Sequence, residues 1–267
     1  MNFHHSIGPP VSTTAARRNA WAAVNVASAL TLACAAQAAV AADTPTCTAR
    51  SGATITPVVE LYTSEGCSSC PPADRWLSRL APDAVVVALA FHVDYWDRLG
   101  WKDRFASAAH TARQSQQQAA NGARFSYTPQ VVVEGADRKD WPDVGLPLKA
   151  GSATQVQVSL TREGDRFTAS VHPVAGGPLR LAAYWAVTEL NHVTTVKAGE
   201  NQGATLKHDF VVREYAPVAA WAARADAPVS LNFAPSVTAD PTHPRLVNLV
   251  VVNADTGRPV QAVKLGC

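Results

Sequence analysis

Past Asp43 the chain holds no second Cys-x-x-Cys, and no closely spaced pair of histidines, to complete the one Cys-x-x-Cys it has. A structural zinc site normally takes four ligands, so this motif does not announce a zinc finger or ribbon by itself. No acidic residue precedes Asp43, and no apolar run is long enough to span a bilayer. Internal repeats and tracts of extreme composition are also missing, which argues against a solenoid or a low-complexity chain. Neither sign of charge dominates: 23 basic residues against 21 acidic ones leave a formal +2, which gives no basis for a nucleic-acid partner. At 267 residues the chain is long enough for one large or two modest domains.

The N-terminus carries the marks of an export signal. Arg17 and Arg18 flank a nearly uncharged apolar run from Trp21 to Ala33, and Ala39-Val40-Ala41 offers small residues for cleavage. Two lesser alternatives use the same stretch: a twin-arginine signal at Arg17-Arg18, and lipid attachment at Cys34, where Thr31 stands in place of the usual leucine. Removing residues 1–41 takes away two arginines and no acid, so the remaining chain has a formal charge of zero and no membrane span. A periplasmic or secreted protein is expected. Its cysteines are then Cys47, Cys67, Cys70 and Cys267, an even number in an oxidising compartment, with three pairings open. If Cys67 pairs with Cys70, Cys47 is left to pair with Cys267. That bond would close a loop of nearly the whole protein, worth about 4 to 5 kcal/mol by chain entropy alone.

The chemistry concentrates in Glu60-Leu61-Tyr62-Thr63-Ser64-Glu65-Gly66-Cys67-Ser68-Ser69-Cys70-Pro71-Pro72. Val58, Val59, Leu61 and Tyr62 have strand character, and Ser64 to Gly66 makes a turn. Ala73, Trp76, Leu77 and Leu80 then fall on one helical face. The two cysteines therefore sit where a strand hands over to a helix. Unpaired N–H groups and the positive end of the helix dipole stabilise a thiolate there, and the thiolate is the reactive form in disulfide exchange. Two prolines after Cys70 suit a first helical turn, whose N–H groups have no helical partner. Cys67, which follows Gly66, is expected to be the more exposed cysteine and the better thiolate. Two other roles remain open for the pair: half of a metal site, or a permanently oxidised structural bond.

Further along, Ala84 to Phe91 is a continuous apolar run of the kind found in a strand buried on both faces. His92 to Asp103 is dense in aromatic and ionisable groups. This segment is expected either to wall a site, through Trp96 among others, or to cap the core with Trp96 and Trp101; His92 on its own suits a structural role. A glutamine-rich helix over about 107–120, with a thin apolar face of Phe105, Ala108, Ala109 and Ala112, is expected on the surface. Tyr127-Thr128-Pro129 leads into a strand up to Gly135, and residues 136–153 show no clear period and look like a boundary. Beyond them, several strand-like segments with turn punctuation predict an antiparallel sandwich. The loop Gly199-Glu200-Asn201-Gln202-Gly203 is expected to be a turn; its functional alternative is to help shape a cleft near the cysteines.

These residues resemble the thioredoxin superfamily. Val58 to Tyr62, Cys67-Ser68-Ser69-Cys70 and Thr128-Pro129 follow the order of its first core strand, active-site helix and cis-proline loop. More narrowly, Glu60 to Asp74, His92 to Asp97, Tyr127 to Gly135 and Gly199 to Gly203 are similar to a bacterial family of secreted thioredoxin-like proteins of unassigned function. The resemblance implies an attacking Cys67, a resolving Cys70, a cis Pro129 facing the disulfide, and Glu60 near the buried acid that handles the resolving proton. Thr128, Pro129 and Trp96 would contact substrate. Ser-Ser between the cysteines departs from the Pro or His common in redox members, and no helical stripe follows Gly135.

The resulting expectation is an α/β chain with a thioredoxin-like domain over residues 52–150, followed by a β-sandwich-like domain over 151–267. It would be an exported thiol–disulfide oxidoreductase needing no cofactor and no metal, acting on protein or small-molecule thiols and disulfides. The alternative is a non-catalytic protein that binds a peptide, a partner or a soft metal such as Cu(I) on the same scaffold.

Overall fold

Fourteen strands and two α-helices make up the computed structural model, which describes residues 46–80, 85–145, 148 and 151–267. The expected export segment and the break at Pro82-Asp83 lie outside the described residues. In chain order the elements begin with β1 (Thr46–Arg50), β2 (Val58–Thr63), α1 (Pro71–Ser78), β3 (Val87–His92), α2 (Ala108–Ala120), β4 (Gln130–Val133) and β5 (Ala136–Asp137). There follow β6 (Val156–Glu163), β7 (Arg166–Pro173), β8 (Arg180–Glu189), β9 (His192–Thr195), β10 (Thr205–His208), β11 (Val211–Ala222), β12 (Val229–Phe233), β13 (Arg245–Asn253) and β14 (Pro259–Leu265).

β2 and β3 are buried along their whole length, and their alternate residues serve opposite faces. Val58 and Tyr62 of β2 join Val87, Leu89 and Phe91 of β3 in one core. Val59 and Leu61 join Ala88 and Ala90 in another, completed by Ala73, Trp76 and Leu77 of α1. Thr63 and His92 lie opposite each other at the ends of the two parallel strands, beside the start of α1.

The eight-stranded sheet has the order β14-β13-β8-β11-β3-β2-β4-β5. Its first four strands come from beyond residue 150 and its last four from before it. They join where β11 runs parallel to β3, with Ala90 N donating to Phe210 O at 2.8 Å. A four-stranded antiparallel sheet, β1-β6-β7-β12, packs against β8, β13 and β14 across a core of Leu160, Phe167, Trp185, Val187 and Leu249.

The expected fold class is corrected by this arrangement. The chain is mostly β, with 45% strand and 14% helix, and is not a thioredoxin α/β fold followed by a separate sandwich. The physical reason lies after β4, where no covering helix forms among the described residues. The chain instead makes the two-residue β5 and a 3₁₀ turn, Trp141–Asp143. β3 keeps a free side, which β11 takes.

α2 differs from its expectation as well. The face it buries is His110, Arg113, Gln114 and Gln117, at i, i+3, i+4 and i+7, a polar stripe in place of the alanine face. Each of these side chains has a buried partner: His92 O for His110, Glu60 for Arg113 and Gln117, and Tyr127 O with Gln130 for Gln114.

Cys47 in β1 is joined to Cys267 across 220 residues, with Cα atoms 6.7 Å apart. Replacing both by alanine is expected to cost about 2 to 4 kcal/mol, because an engaged disulfide restricts the unfolded chain. Denaturant titration of the double variant checks it; a loss under about 1 kcal/mol would contradict it.

Candidate functional site

β2 ends at Thr63, and the chain turns through Ser64 to Cys70 before α1 begins. Three short bonds fix this turn: Gly66 N to Ser64 Oγ (3.1 Å), Cys67 N to Ser64 O (3.2 Å) and Cys70 N to Cys67 O (3.2 Å). Glycine at residue 66 lets the turn lie close to Trp96: a Cβ there would stand 3.2 Å from Cβ of Trp96, which would have to give by a few tenths of an ångström. Cys70 is the N-cap residue of α1, and Pro71 and Pro72 occupy its first turn. Cys67 and Cys70 form a disulfide with Cα atoms 5.4 Å apart. The expected difference in exposure is absent: both cysteines are 0% exposed, while Ser68 and Ser69 between them face solvent.

The cysteines differ in their partners instead. Thr128 Oγ1 donates to Cys67 Sγ at 3.4 Å, and Trp96 Nε1 donates to Thr128 Oγ1 at 2.8 Å. Ser69 Oγ lies 3.4 Å from the same sulfur and donates to Thr128 O at 3.4 Å. The Thr128–Pro129 peptide bond is cis. Trp96, Thr128 and Pro129 are thus brought together on the Cys67 side of the turn.

Glu60 lies elsewhere. Alternation along β2 turns it to the α2 face, where Arg113 Nη2 donates to its Oε1 at 2.6 Å and Tyr184 hydroxyl does so at 2.6 Å. Gln117 Nε2 donates to Oε2 at 3.2 Å, and the Tyr62 hydroxyl also bonds that oxygen. Burial pushes the Glu60 carboxyl up, but the charge and hydrogen bonds of Arg113, with those of Tyr184 and Tyr62, more than offset it and hold it below its usual value. Both oxygens are engaged and the group stays ionised, which does not suit the proton-handling role expected of it.

The loop at 199–203 closes over the cysteine turn. Asn201 Nδ2 donates to Glu65 O and to Cys67 O, both at 2.9 Å. Glu200 Oε2 accepts from Ser68 N at 3.1 Å and from Ser68 Oγ at 2.8 Å. Gly199 has φ +74°, and a Cβ on it would stand 3.3 Å from Cβ of Trp101, so the turn needs glycine there. The loop is a turn, as expected, and it also lies beside the cysteines, where its alternative reading had placed it. Replacing Asn201 by alanine takes this donor from Glu65 O and leaves Cys67 O with Cys70 N alone, at about 1 to 3 kcal/mol. If reduction of the disulfide requires the turn to open, each 1.4 kcal/mol lost raises the open population about tenfold. Faster reduction by a small dithiol, alongside a lower melting temperature, is the expected outcome. An unchanged reduction rate would show that the loop does not guard the bond.

Behind the turn lies a buried group that the sequence reading did not assemble. Asp74 of α1, His92 at the end of β3 and His208 at the end of β10 are all buried, and one ligand atom from each lies within 4.8 Å of the others. His92 Nδ1 meets Asp103 Oδ2 at 2.6 Å, Glu65 N donates to that same oxygen at 2.9 Å, and His208 Nε2 stands 3.4 Å from Glu65 Oε1. Burial pushes the Asp74 carboxyl up, and His208 and His92 only partly oppose it. Asp103 is held at about 2 despite its burial, by the charge and hydrogen bond of His92 and by two backbone N–H groups.

Residues 58–251 match the sequence profile of a family described as protein of unknown function (DUF1223). The chain belongs to the DUF1223 family. A search of curated proteins returned no match. Among solved structures, a DUF1223 chain of this sequence is similar to a crystal structure of an Agrobacterium tumefaciens protein. The identity is 29%, the alignment covers 79% of this chain and 94% of that one, and the TM-score is 0.57. It is also similar in fold to HBP35 of Porphyromonas gingivalis, at 15% identity, with 81% and 76% of the two chains covered and a TM-score of 0.53. Two disulfide pairs, and the absence among the described residues of any helix long and apolar enough to cross a membrane, are compatible with a secreted or periplasmic member of the DUF1223 family.

Proposed function

We propose that this DUF1223 protein is an exported thiol–disulfide oxidoreductase that works through Cys67 and Cys70. The observation that carries the proposal is the disulfide at the N-terminus of α1, with a hydroxyl donor, Thr128, aimed at the Cys67 sulfur from the residue before a cis proline. A donor at 3.4 Å favours the thiolate of Cys67 over its thiol, and the positive helix end, whose N-cap is Cys70, favours thiolates in the turn as a whole. Among the described residues no comparable donor reaches the Cys70 sulfur, and Cys70 is held inside the turn, which suits a resolving role.

In the reducing direction, the Cys67 thiolate attacks one sulfur of a substrate disulfide. A bond forms between Cys67 and the substrate, and the second substrate sulfur leaves as a thiolate that takes a proton from water. The Cys70 thiolate then attacks Cys67 Sγ, the Cys67–Cys70 bond re-forms, and the remaining substrate sulfur leaves as a thiol. Two electrons pass from the dithiol to the substrate, and an external dithiol reductant restores the pair. The oxidising direction is the same sequence reversed. Because both sulfurs are buried in the disulfide form, the Ser68–Ser69 turn has to open, and Thr128, Pro129 and Trp96 are the residues a substrate chain would meet first.

Turnover of a small protein disulfide with a dithiol as electron donor tests the proposal. Activity is expected in the wild type and lost in Cys67→Ser, with the Cys47–Cys267 double alanine variant retaining it. Equal rates in wild type and Cys67→Ser would remove the proposal.

A further inference from the structure

We infer that Asp74, His92 and His208 form a binding site for one divalent first-row transition cation of the zinc class, buried beneath the Cys67–Cys70 turn and separate from its sulfurs. Their unpaired nitrogens are the reason. Among the described residues His92 Nε2 and His208 Nδ1 lack hydrogen-bond partners, and His208 Nε2 has only a long contact, 3.4 Å, to Glu65 Oε1, although the two side chains are 0% and 2% exposed. Buried ring nitrogens normally have a partner, and an imidazole left without one is a ligand in waiting.

The surroundings have the form of a metal's outer shell. Asp103 Oδ2 takes the Nδ1 side of His92, fixing the ring so that Nε2 is the nitrogen left to bind. Thr63 Oγ1 donates to Asp74 Oδ2 at 3.1 Å and holds that carboxylate. Glu65 Oε1 is also unpaired, 3.4 Å from His208 Nε2, while Trp101 Nε1 takes Glu65 Oε2 at 2.8 Å. Glu65 Oε1 thus flanks His208 and stands outside the three-residue group itself.

Charge argues the same way. Glu65, Asp74 and Asp103 are three buried carboxylates, and among the described residues no arginine or lysine forms an ion pair with any of them. The ion-pair partners of these carboxylates are the two histidines alone, and a dication bound by two neutral imidazoles and a carboxylate supplies the positive charge that neutral imidazoles do not. Two nitrogens with one or two carboxylate oxygens suit zinc and its first-row neighbours better than calcium, magnesium or Cu(I). Metal–ligand bonds of about 2.0 to 2.2 Å in a tetrahedral site set ligand atoms about 3.3 to 3.6 Å apart, so atoms as far apart as 4.8 Å have to draw together by about 1.2 to 1.5 Å. A cleft of about 160 Å³ between α1 and β10, lined by Pro71, Asp74, Arg75, Lys207 and His208, gives a route in.

Such an ion would tie α1 to β3 and β10, so the helix that presents the cysteines would be anchored from below. The test is calorimetric titration with Zn²⁺ of untagged, chelator-treated protein whose Cys67–Cys70 bond is kept oxidised, so that no central thiolate is available. One equivalent is expected, with affinity reduced at least about 100-fold in His208→Ala, and about 10- to 100-fold in Asp103→Asn, which removes only an outer-shell carboxylate. Asp74→Asn guards against a folding artefact: in chelator it should melt at or above the wild-type temperature, since it removes a buried charge, yet bind Zn²⁺ weakly. Substitution with Co²⁺ should give ligand-field bands without a thiolate charge-transfer band. Absence of binding to the oxidised protein, binding that needs reduced cysteines, or binding unchanged in His208→Ala would each overturn the inference. None of these results bears on turnover by Cys67 and Cys70, which stands or falls by its own assay.

Discussion

The Cys70→Ser protein, exposed to a substrate disulfide, should accumulate covalent adducts through Cys67, whereas Cys67→Ser should accumulate almost none. In the wild type the mixed disulfide is short-lived because Cys70 is Cα-to-Cα only 5.4 Å away and displaces the substrate. Without that thiolate the intermediate has no internal exit. The asymmetry rests on partners, since the two cysteines are equally buried: Thr128 Oγ1 donates to Cys67 Sγ, and Trp96 Nε1 holds Thr128 in place. Non-reducing electrophoresis with peptide mapping reads the result. Adducts that form equally in the two variants, or only on Cys70, would reverse the assigned roles.

Replacing Arg113 with methionine should cost about 3 to 5 kcal/mol, because it strands the buried Glu60 charge without its cation. Tyr62, Tyr184 and Gln117 would still donate to Glu60, but none of them carries a charge. The same substitution should change the response to acid. In the wild type the Glu60 carboxyl is held below its ordinary value, so its contribution is present above about pH 4.5 and is lost as the pH falls through the lower folded value. In the variant burial dominates and raises the folded value above the unfolded one. The penalty is then present at neutral pH and relieved as the pH falls. Wild-type stability should therefore fall between pH 5 and 3.5, while that of Arg113→Met holds or rises. Denaturant midpoints across this range decide it, and parallel acid limbs in the two proteins would contradict the account.

Local pattern carried a good deal of this molecule. Strands do follow one another beyond residue 153, where strand-like segments were expected, and α2 lies within a residue of its expected span. What local pattern misjudged was which face of α2 is buried. A stripe of His, Arg and Gln looks solvated unless one knows that Glu60, 53 residues away from Arg113, waits beneath it. The fold class failed for a related reason. Strand, turn, helix and cis proline are local features, but the neighbour of β3 is decided by a strand beginning at Val211. β1 and β14 were missed because β1 alternates only through the small Cys47 and Ala49, β14 has no clean alternation, and their places depend on partners elsewhere in the chain.

The site was legible to different depths. Cys67, Cys70, Thr128, Pro129 and Trp96 stand together in the structure, and it was the family resemblance, not the residue types alone, that had put Thr128 and Pro129 beside the cysteines. Glu60 was chosen by its distance from the cysteines in sequence, and strand alternation turned it to the other face. Asp74, His92 and His208 were invisible as a group because 116 residues separate the two histidines, and only the pairing of sheet ends brings them within 4.8 Å.

The equilibrium reduction potential of the Cys67–Cys70 pair, measured against a dithiol buffer in the wild type, tests the central claim most directly. Exchange chemistry predicts a value within the range spanned by catalytic pairs, about −120 to −270 mV. A value below about −300 mV would mark a structural bond and contradict the account.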